Sequence, residues 1–393
     1  MRVSFPMVYF AVLKLPTRMA NSIHVMKMCQ GLKRTGVDVT LIANIDGPAE
    51  RYYEDYDIRD RFNIRHTWMP PIPVLASVGF ILAALVYLWR HRPDCIYTRD
   101  FWSSWFFNLL GVPIVYECHE DPLDGLRRFF LRRTLKAKNV QVVVTISEQL
   151  KKILKSKYEW CLRGKSLLVL PDGVDVGAYT GPGKKRAIRT DRQLPLDIPL
   201  IGYTGSLFEG RGIEVIIEAA SRRPQYRFLV VGGYEAEVDA LMGTLADRQI
   251  DNVICPGYVP HRLIPDYLAA CDVLVMPYQR KVTLEKNKRD TAAYMSPLKM
   301  FEYLASGVPV VSSDLPVLRE ILTHGETAWL VAADEAAAWC EAADLLINDG
   351  TLAEHIGDNA RRHVLRFSWD RRAERVLEAL GVPAGGEASD ENG

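Results

Sequence analysis

The chain has 393 residues, of which 48% are hydrophobic and 25% charged, and these proportions are those of a globular protein long enough for two domains. The net charge is +1, but residues 1–180 carry +8 and the rest of the chain carries −7, which indicates different surfaces for different partners. No DNA- or RNA-binding motif accompanies the basic half, so the sequence does not indicate a nucleic-acid partner.

The cysteines and the first residues bear on the cellular compartment. The seven cysteines are scattered and never spaced C-x-x-C, which argues against a disulfide framework and a zinc site. The first residues run directly into a strand-like pattern and lack the charged, apolar and cleavage regions of a signal peptide. We therefore expect a cytoplasmic protein.

Short apolar runs alternate with helical patterns along the chain, which is typical of parallel α/β architecture. A helix is predicted from about Asn21 to Thr35, and Gly36 ends it. Six strands are predicted in the first half: Val3–Tyr9, Asp38–Ala43, Asp94–Tyr97, Pro113–Glu117, Gln141–Thr145 and Ser166–Leu170.

The segment Ile72–Trp89 is an uncharged run of eighteen residues. Its length meets the lower limit for a membrane span. Because Arg90-His91-Arg92-Pro93 closes the run and a strand follows at once, we expect a helix buried against the sheet. A peripheral membrane contact and a true span are the alternatives.

The motif Glu117-Cys118-His119-Glu120-Asp121 stands at the end of the fourth predicted strand. Residues at the carboxyl ends of strands in open α/β sheets face the ligand crevice. A lone histidine is more often structural than functional, so the position alone makes His119 a candidate and no more.

The stretch Leu126–Lys136 alternates basic and apolar pairs at near-helical spacing. A basic amphipathic helix is typical of a membrane-surface element, although an ordinary solvated helix would show the same pattern. Together with the positive first half and the apolar run Ile72–Trp89, it favours a peripheral membrane contact through Arg127–Lys136.

A break divides the chain after the turn Pro171-Asp172-Gly173-Val174-Asp175. We place a first domain at residues 1–178, a linker at 179–196, a second domain at 197–365, a helix at about 366–381 and a disordered tail at 385–393. Six strands are predicted in the second domain: Pro199–Tyr203, Tyr226–Val231, Val253–Cys255, Val273–Met276, Val308–Ser312 and Trp329–Val331. The helices predicted between them are Ile213–Ser221, Glu235–Asp247, Leu263–Ala270, Leu298–Ala305 and Ala336–Asn348.

The strand Pro199–Tyr203 leads into the glycine-rich turn Thr204–Gly212 and then into a helix. This order is that of a phosphate loop, in which Arg211 would contact a diphosphate. The turn is neither G-x-G-x-x-G nor a Walker A sequence, so it does not indicate a dinucleotide or ATP.

The segment Ser296-Pro297-Leu298-Lys299-Met300 predicts the start of a helix, with Ser296 as the N-cap and Pro297 as the first helical residue. The N–H groups of the next three residues would then point outward at the positive end of the helix dipole. Such an end suits a diphosphate.

Two charged side chains of the same helix add to this prediction. Lys299 contributes a formal positive charge, and Glu302 lies three residues further along the same helix face. A carboxylate there can accept hydrogen bonds from the two ribose hydroxyls of a nucleotide. A plain capped helix with a surface glutamate would show the same spacing.

Taken together, the motifs resemble those of the retaining glycosyltransferases of family 4, which adopt the GT-B fold. The resemblance covers nearly the whole chain. It is carried by the loop Gly205…Arg211-Gly212, by Val230–Gly233, Gly257–Pro260, Ala270–Leu274, Met276–Tyr278 and Ser296–Val311, and by Pro171–Asp175 and Phe367–Trp369. It implies an α/β fold with two Rossmann-like parallel-sheet domains facing each other across a cleft and a C-terminal helix that crosses back to the first domain.

The resemblance also implies roles for individual residues. The expected catalytic residues are His119, beside the donor sugar, with Arg211 and Lys299 on the leaving phosphate. Two positions depart from the family pattern, since Tyr294 replaces the first of a pair of glutamates and Ser206 replaces an arginine. The expected donor-binding residues are Gly205, Ser206, Arg211, Tyr258, Ser296, Leu298, Lys299, Met300 and Glu302.

We therefore predict a hexosyltransferase that acts on a nucleoside diphosphate sugar, with UDP favoured as the nucleotide. Retention of configuration is implied by the resemblance alone. The expected acceptor is lipid-linked or an envelope glycan, met at the cytoplasmic face of the plasma membrane. Neither a metal nor a cofactor is expected, because fixed cations would stabilise the leaving group. A nucleotide-sugar 2-epimerase and a non-catalytic nucleotide-sugar-binding protein are the alternatives.

Overall fold

The computed structural model describes residues 5–45, 47–66, 73–122, 124–179, 182–283 and 290–383, without the side chains of residues 73–77 and 182. The tail 385–393, predicted to be disordered, lies outside the described residues. The chain forms two compact units. Unit 1 runs to Gly173 and resumes at Trp369, and unit 2 comprises Val174–Ser368.

Unit 1 is a parallel sheet with helices on it. Its strands are β1 (Pro6–Leu15), β2 (Asp38–Ile45), β3 (Asn63–His66), β4 (Cys95–Thr98), β5 (Ile114–Cys118), β6 (Val140–Thr145) and β7 (Ser166–Val169). Its helices up to this point of the chain are α1 (Ala20–Arg34), α2 (Ala49–Asp55), α3 (Pro73–His91), α4 (Phe101–Phe107), α5 (Gly125–Lys136) and α6 (Glu148–Tyr158). The seven strands are ordered β3-β2-β1-β4-β5-β6-β7.

Unit 2 repeats this construction. Its strands are β8 (Leu200–Thr204), β9 (Arg227–Val231), β10 (Val253–Gly257), β11 (Val273–Met276), β12 (Val310–Ser313) and β13 (Trp329–Val331). Its helices are α7 (Lys185–Asp191), α8 (Ile213–Arg222), α9 (Glu235–Asp247), α10 (Ile264–Ala269), α11 (Leu298–Ser306), α12 (Ala336–Asn348) and α13 (Gly350–Val364). The six strands are parallel and ordered β10-β9-β8-β11-β12-β13.

The central strands of both units are buried along their whole length, as β5, β8 and β11 show. Helices that cover both faces of a parallel sheet explain why these strands read as uninterrupted apolar runs. In each unit the strand order reverses once, between β1 and β4 and between β8 and β11. Ligands of open α/β sheets bind at the carboxyl ends of the strands around such a reversal. The prediction of two Rossmann-like parallel-sheet domains is confirmed.

The chain ends, within the described residues, on α14 (Trp369–Ala379), which packs on α1 inside unit 1. The two helices approach closely at Gly31. A Cβ atom at that position would lie 2.6 Å from the carbonyl oxygen of Trp369, so a larger residue there would push α14 away. Unit 1 is therefore assembled from two separate stretches of the chain.

Several elements differ from the sequence-based expectations: α2, α4 and α6 were not predicted, and β3, α7 and α13 differ in ways that can be explained. The strand β3 was not predicted, because its four residues lie at a sheet edge with largely exposed side chains and carry no apolar pattern. The stretch predicted as a linker contains α7, whose buried Arg189 donates to the Asp272 carboxylate (2.6 Å) and the Ala270 carbonyl (2.8 Å). Before α14 (Trp369–Ala379) the chain forms the full helix α13, whereas the sequence analysis predicted a single helix at about 366–381 in this part of the chain.

The expectation that Ile72–Trp89 is a buried helix is only half right. In α3, Phe80, Ala84 and Leu88 are buried, and Phe80 packs on Phe10 of β1. The opposite side exposes 50% to 63% of Val78, Leu82, Val86 and Trp89. The hydrophobicity of this run is therefore shared between a core face and an apolar surface stripe. Among the helices that the structure describes, none is long and apolar enough to span a membrane.

Candidate active site

The glycine-rich turn of unit 2 joins β8 to α8 at the point where the sheet order reverses. Gly205 follows β8 with φ of +134°, and Gly212 caps α8 with φ of +80°. A Cβ atom at position 212 would lie 1.9 Å from the carbonyl oxygen of Pro277. The turn therefore needs glycine for both its backbone angles and its close packing on the segment after β11, and this packing fixes the position of Arg211.

The helix α11 opens at the same end of the sheet. It begins at Leu298 with Pro297 as its N-cap, so the expectation that Ser296 caps the helix and Pro297 is its first residue is wrong by one position. The N–H of Met300 donates to the Pro297 carbonyl (3.0 Å) and is not free for a ligand, contrary to the prediction. The first amides of a helix have no intrahelical acceptor, so Leu298 and Lys299 supply the open N–H groups.

Two cationic side chains converge on aromatic rings next to this helix end. The Lys299 Nζ lies 3.9 Å from the Tyr203 ring centroid and 5.3 Å from that of Tyr278. The Arg211 guanidinium carbon lies 5.1 Å from the same Tyr278 ring. Both the Nζ of Lys299 and the Nε of Arg211 are buried, and neither has a hydrogen-bond partner among the described residues.

This arrangement leaves positive charge uncompensated. Burial, and then the nearby Arg211, hold the pKa of Lys299 well below its ordinary value, while Glu302 acts in the opposite direction. Ring faces attract a cation but cannot replace the hydrogen bonds that an ammonium loses on burial. Unit 2 therefore holds two cations in a place where an anion would be stabilised.

Glu302 lies one helical turn beyond Lys299 on α11 and is largely buried. Its Oε1 is 2.7 Å from the Nε2 of His261, a residue that the sequence analysis did not select. This contact fixes the orientation of the carboxylate. Glu302 can therefore serve as an oriented acceptor for ribose hydroxyls.

The other expected donor-binding residues lie around the same loop and helix. Ser206 accepts a hydrogen bond from the Tyr203 hydroxyl through its carbonyl oxygen (2.6 Å). Tyr258 follows β10 and exposes 44% of its surface, whereas Leu298 and Met300 turn their side chains into the protein, so only their backbone can face a ligand. Tyr294, at the position of the family glutamate, is buried.

Unit 1 places His119 directly after β5, beside a buried carboxylate. The Nε2 of His119 hydrogen bonds to Oε1 of Glu117, which is fully buried. The same carboxylate accepts hydrogen bonds from the Tyr97 hydroxyl and from Nη1 of Arg372 (3.2 Å), and its Oε1 forms an ion pair with Nη2 of Arg372 (3.1 Å). His24 lies 2.9 Å from it through Nε2.

Sequence reasoning missed most of this network. Glu117 was quoted only as part of a motif, although a charged residue near the end of an otherwise apolar strand is a signal for a paired carboxylate. Arg372, His24 and Tyr97 gave no such signal, because their partners are distant in sequence. The Nδ1 of His24 also contacts Oδ1 of Asp172 at 2.6 Å, at the predicted turn.

The surroundings of Glu117 and His119 determine which of the two groups is charged. Burial alone would raise the pKa of Glu117, but Arg372 and the two histidines hold it well below its ordinary value. Burial, and then Arg99, lower the pKa of His119 to about 4, against the opposite influence of Glu117. At neutral pH the network therefore pairs a charged Glu117 with an uncharged His119.

The sequence analysis expected no metal, and one cluster bears on that expectation. His24, Glu117 and His119 place one possible ligand atom each within 4.8 Å of one another. The guanidinium of Arg372 is bonded to the same carboxylate, and it would repel a cation bound there. We therefore interpret the cluster as a hydrogen-bonded ion network.

Two family models match consecutive parts of the chain. The model described as Glycosyltransferase Family 4 matches residues 22–177. The model described as Glycosyl transferases group 1 matches residues 184–363. Each match falls almost entirely within one structural unit.

Curated relatives match part of the chain at low sequence identity. A protein named D-inositol 3-phosphate glycosyltransferase from Nocardia farcinica is 30% identical over 226 residues, which are 54% of this chain and 47% of that protein. One of the same name from Corynebacterium efficiens is 24% identical over 296 residues, or 71% and 66% of the two chains. This chain spans about half the length of most of the curated relatives that it matches.

Solved structures match nearly the whole chain. Sucrose-phosphate synthase from Thermosynechococcus elongatus aligns with a TM-score of 0.75 at 21% identity, covering 96% of this chain and 98% of its own. Anabaena HepE in complex with UDP-glucose aligns with a TM-score of 0.74 at 17% identity, covering 96% and 99%. These similarities show a common GT-B fold. With both halves also matched by glycosyltransferase family models, the chain belongs to the glycosyltransferases of family 4.

Proposed function

We propose that this protein transfers a sugar from a nucleoside diphosphate sugar, with UDP as the favoured nucleotide and retention of configuration at the transferred sugar. The observation that carries the proposal is the pair of buried cationic nitrogens, Nζ of Lys299 and Nε of Arg211, which have no hydrogen-bond partner among the described residues and lie beside the open end of α11. Cationic nitrogens that are buried without a hydrogen-bond partner destabilise the ligand-free protein, and a bound diphosphate would relieve that cost. The HepE structures with UDP-glucose and UDP support the choice of nucleotide.

The same pair would act on the chemical step. Negative charge develops on the departing diphosphate as the bond to the sugar breaks, and fixed donors aimed at that charge lower the barrier. Arg211, Lys299 and the N–H groups of Leu298 and Lys299 would supply such donors. We propose that no metal or cofactor is needed for this step, because the protein itself provides the positive charge.

Two further residues would hold the rest of the donor. Glu302, oriented by His261, would accept hydrogen bonds from the ribose hydroxyls. His119, uncharged at neutral pH, would accept a hydrogen bond from a hydroxyl of the transferred sugar. Gly205, Ser206, Ser296 and Tyr258 remain proposed donor contacts on the surrounding loops.

For the acceptor we propose a lipid-linked sugar or envelope glycan, met at the inner face of the plasma membrane. Arg128, Arg132, Arg133 and Lys136 of α5 are exposed. Each cation close to an anionic membrane contributes on the order of 1 kcal/mol to binding. Arg127 is different, because it is paired with Glu120 (2.6 Å).

Exposed apolar groups support this surface, and those on α3 are ones that the sequence analysis had assigned to the core. Unit 1 exposes large apolar side chains on α3, on α4 and the turn after it, and on α5, and the aromatic contact between Trp102 of α4 and Phe130 of α5 links two of these helices. The exposed members are Val78, Leu82, Val86, Trp89, Trp105, Leu109, Leu126 and Phe129. Apolar side chains beside exposed cations are the combination with which a peripheral helix binds a membrane surface.

Turnover by the purified protein tests the proposed transfer. A panel of UDP-, GDP- and dTDP-sugars is followed for release of the nucleoside diphosphate, and the anomeric configuration of the product is read by NMR. We expect release from one sugar nucleotide and its loss in the Arg211→Ala/Lys299→Ala protein. Arg280→Ala is the control, since that arginine is exposed and, among the described residues, forms its ion pair with surface Asp334 (3.3 Å). Conversion to an epimeric sugar nucleotide, or binding without turnover, would instead support one of the two alternatives.

Sedimentation with anionic vesicles tests the membrane proposal separately. Replacing Arg128, Arg132 and Arg133 with glutamine should remove the binding that high salt also removes. Replacing Val78, Leu82 and Val86 with serine should weaken the binding that persists at high salt. The control is Met242→Ser with Leu365→Ser, which changes exposed apolar residues of unit 2. Equal sedimentation of all four proteins would favour a soluble acceptor.

A further inference from the structure

The network around Glu117 reaches from the last helix of the chain to the residue that we place on the donor sugar. Glu117 stands next to the end of β5, and His119 follows that strand by one residue. The carboxylate is fully buried, so it must be held by partners that compensate its lost hydration. Those partners determine what His119 can offer to a ligand.

A carboxylate can only accept hydrogen bonds, so its contact with His119 fixes the position of the imidazole proton. The proton lies on Nε2, which donates to Glu117. In an uncharged imidazole the other nitrogen, Nδ1, is then an acceptor. Among the residues that the structure describes, none hydrogen bonds to this Nδ1. Its lone pair is therefore open for a hydroxyl group.

Arg372 holds the carboxylate from the other side, and its own position is fixed independently. Its guanidinium donates to the carbonyl oxygens of Leu170 (3.1 Å) and Pro171 (2.9 Å), at the end of β7. It also donates to the Tyr97 hydroxyl (3.1 Å) and to Oε2 of Glu117 (3.2 Å), and its Nη2 forms an ion pair with Oε1 of the same carboxylate (3.1 Å). Because the backbone carbonyls anchor the guanidinium, the arginine sets the orientation of the carboxylate rather than following it.

We propose that Glu117 and Arg372 are positioning residues, which hold His119 in the tautomer with hydrogen on Nε2 so that Nδ1 accepts a hydrogen bond from the transferred sugar. The proposal rests on the proposed function for its sugar ligand, but not for the tautomer itself. It makes α14 part of the donor-handling machinery of unit 1, although no residue of that helix is proposed to touch the donor.

The substitution Glu117→Gln tests the first link without changing the size of the side chain. A glutamine has one acceptor oxygen in place of two, and the forked guanidinium of Arg372 competes for it. His119 then faces the amide N–H₂ group, which donates, and its proton should move to Nδ1. Arg372→Lys keeps the charge but cannot contact both carboxylate oxygens and two carbonyls at once, so it should yield a mixture of tautomers.

Nitrogen-15 NMR of histidine-labelled protein reads the tautomers directly, and a His119→Asn spectrum identifies the His119 signals. We expect the Nε2–H form alone in the wild-type protein, the Nδ1–H form in Glu117→Gln and both forms in Arg372→Lys. His324 of unit 2 is an internal control, since its Nδ1 accepts from the Leu330 N–H (3.0 Å) and its tautomer should stay the same. A wild-type His119 that is charged or protonated on Nδ1, or a tautomer unchanged in Glu117→Gln, would overturn the proposal.

Kinetics links the tautomer to turnover. Misorienting a group that contacts the reacting sugar costs on the order of 10²-fold in rate, so kcat of Glu117→Gln should fall while the affinity for free UDP is unchanged. If the tautomers behave as expected but the wild-type protein transfers no sugar, the proposed function fails and the positioning network stands. An unchanged kcat in a protein that has switched tautomer would overturn the link to the sugar.

Discussion

Arg372 in unit 1 and Lys299 in unit 2 are both buried cations near the carboxyl ends of a parallel sheet, and their surroundings are opposite. Arg372 donates to a carboxylate, a hydroxyl and two carbonyl oxygens. The Nζ of Lys299 meets the ring of Tyr203 and has no hydrogen-bond partner in the described part of the chain. A buried charge that is fully paired belongs to the folded structure, whereas one left unpaired marks a place for a ligand.

The pKa values of the two groups diverge for the same reason. Burial would lower the pKa of Arg372, but Glu117 and Tyr97 raise it above its ordinary value. For Lys299, burial and the neighbouring Arg211 both lower the pKa. The two units share a fold, but Arg372 has a carboxylate partner within its unit, whereas Nζ of Lys299 has no hydrogen-bond partner among the described residues. Four experiments test this difference.

The largest effect is expected from Arg372→Met, which leaves Glu117 buried without its main counterion. Removing one partner of a buried ion pair costs about 3–5 kcal/mol of folding free energy. Urea and thermal unfolding measure it. Arg375→Met on the same helix is the control, because its exposed pair with Glu378 (3.6 Å) should contribute at most about 1 kcal/mol. Equal stabilities of the two variants would contradict the structural role given to Arg372.

Lys299→Met should show the reverse pattern. The variant loses a charge whose burial is uncompensated, so the ligand-free protein should be at least as stable as the wild type. Transfer should lose about 2–4 kcal/mol of transition-state stabilisation, the usual magnitude for a lost electrostatic donor. Unfolding curves and kcat/KM together test this. A large loss of stability with normal turnover would mean that Lys299, like Arg372, has a structural role, and the difference between the two cations would disappear.

A smaller effect is expected from Glu302→Gln. The substitution keeps the shape of the side chain but removes the charge that strengthens its bonds to ribose, so the affinity for UDP should fall by about 1 kcal/mol. Calorimetry with pyrophosphate is the matched control, because that ligand has no ribose and its affinity should stay the same. Equal losses for UDP and pyrophosphate would mean that Glu302 acts on the phosphate site through Lys299.

The smallest expected effect is the uptake of protons when a diphosphate binds. The lowered pKa of Lys299 in the free protein should rise when a diphosphate binds, because the anion favours the charged ammonium. Binding should therefore take up a fraction of a proton from solution at any pH at which the free lysine is partly neutral. Calorimetry of UDP binding in buffers of different ionisation enthalpy measures it, and Lys299→Met should abolish the uptake.

The sequence predicted what depends on local pattern. The parallel strands, the phosphate-type loop and the helix at Leu298 follow from apolar runs, glycines and a proline that act within a few residues. It also brought Arg211 and Lys299 together, but only through the family resemblance. The start of α11 was missed by one residue, because a serine and a proline indicate that a helix begins nearby but do not fix its first residue.

Features that depend on contacts between residues distant in sequence could not be predicted from local sequence patterns. Arg372 meets Glu117 across 255 residues of sequence, and no spacing rule connects them. The apolar run of α3 was assigned to the core because hydrophobicity alone does not reveal which side of a helix has a neighbour. Phe80 finds one in Phe10, and Val86 finds none that would bury it.

The return of α14 to unit 1 also sets an order of events during synthesis. All of unit 2, Val174–Ser368, must be made before Arg372 leaves the ribosome. At about 5–20 residues per second, Glu117 waits on the order of 13–50 s for its counterion while the 255 residues up to Arg372 are translated. Unit 2 is one continuous stretch and can fold during that interval. The first half of the chain to be made is therefore the last to be completed.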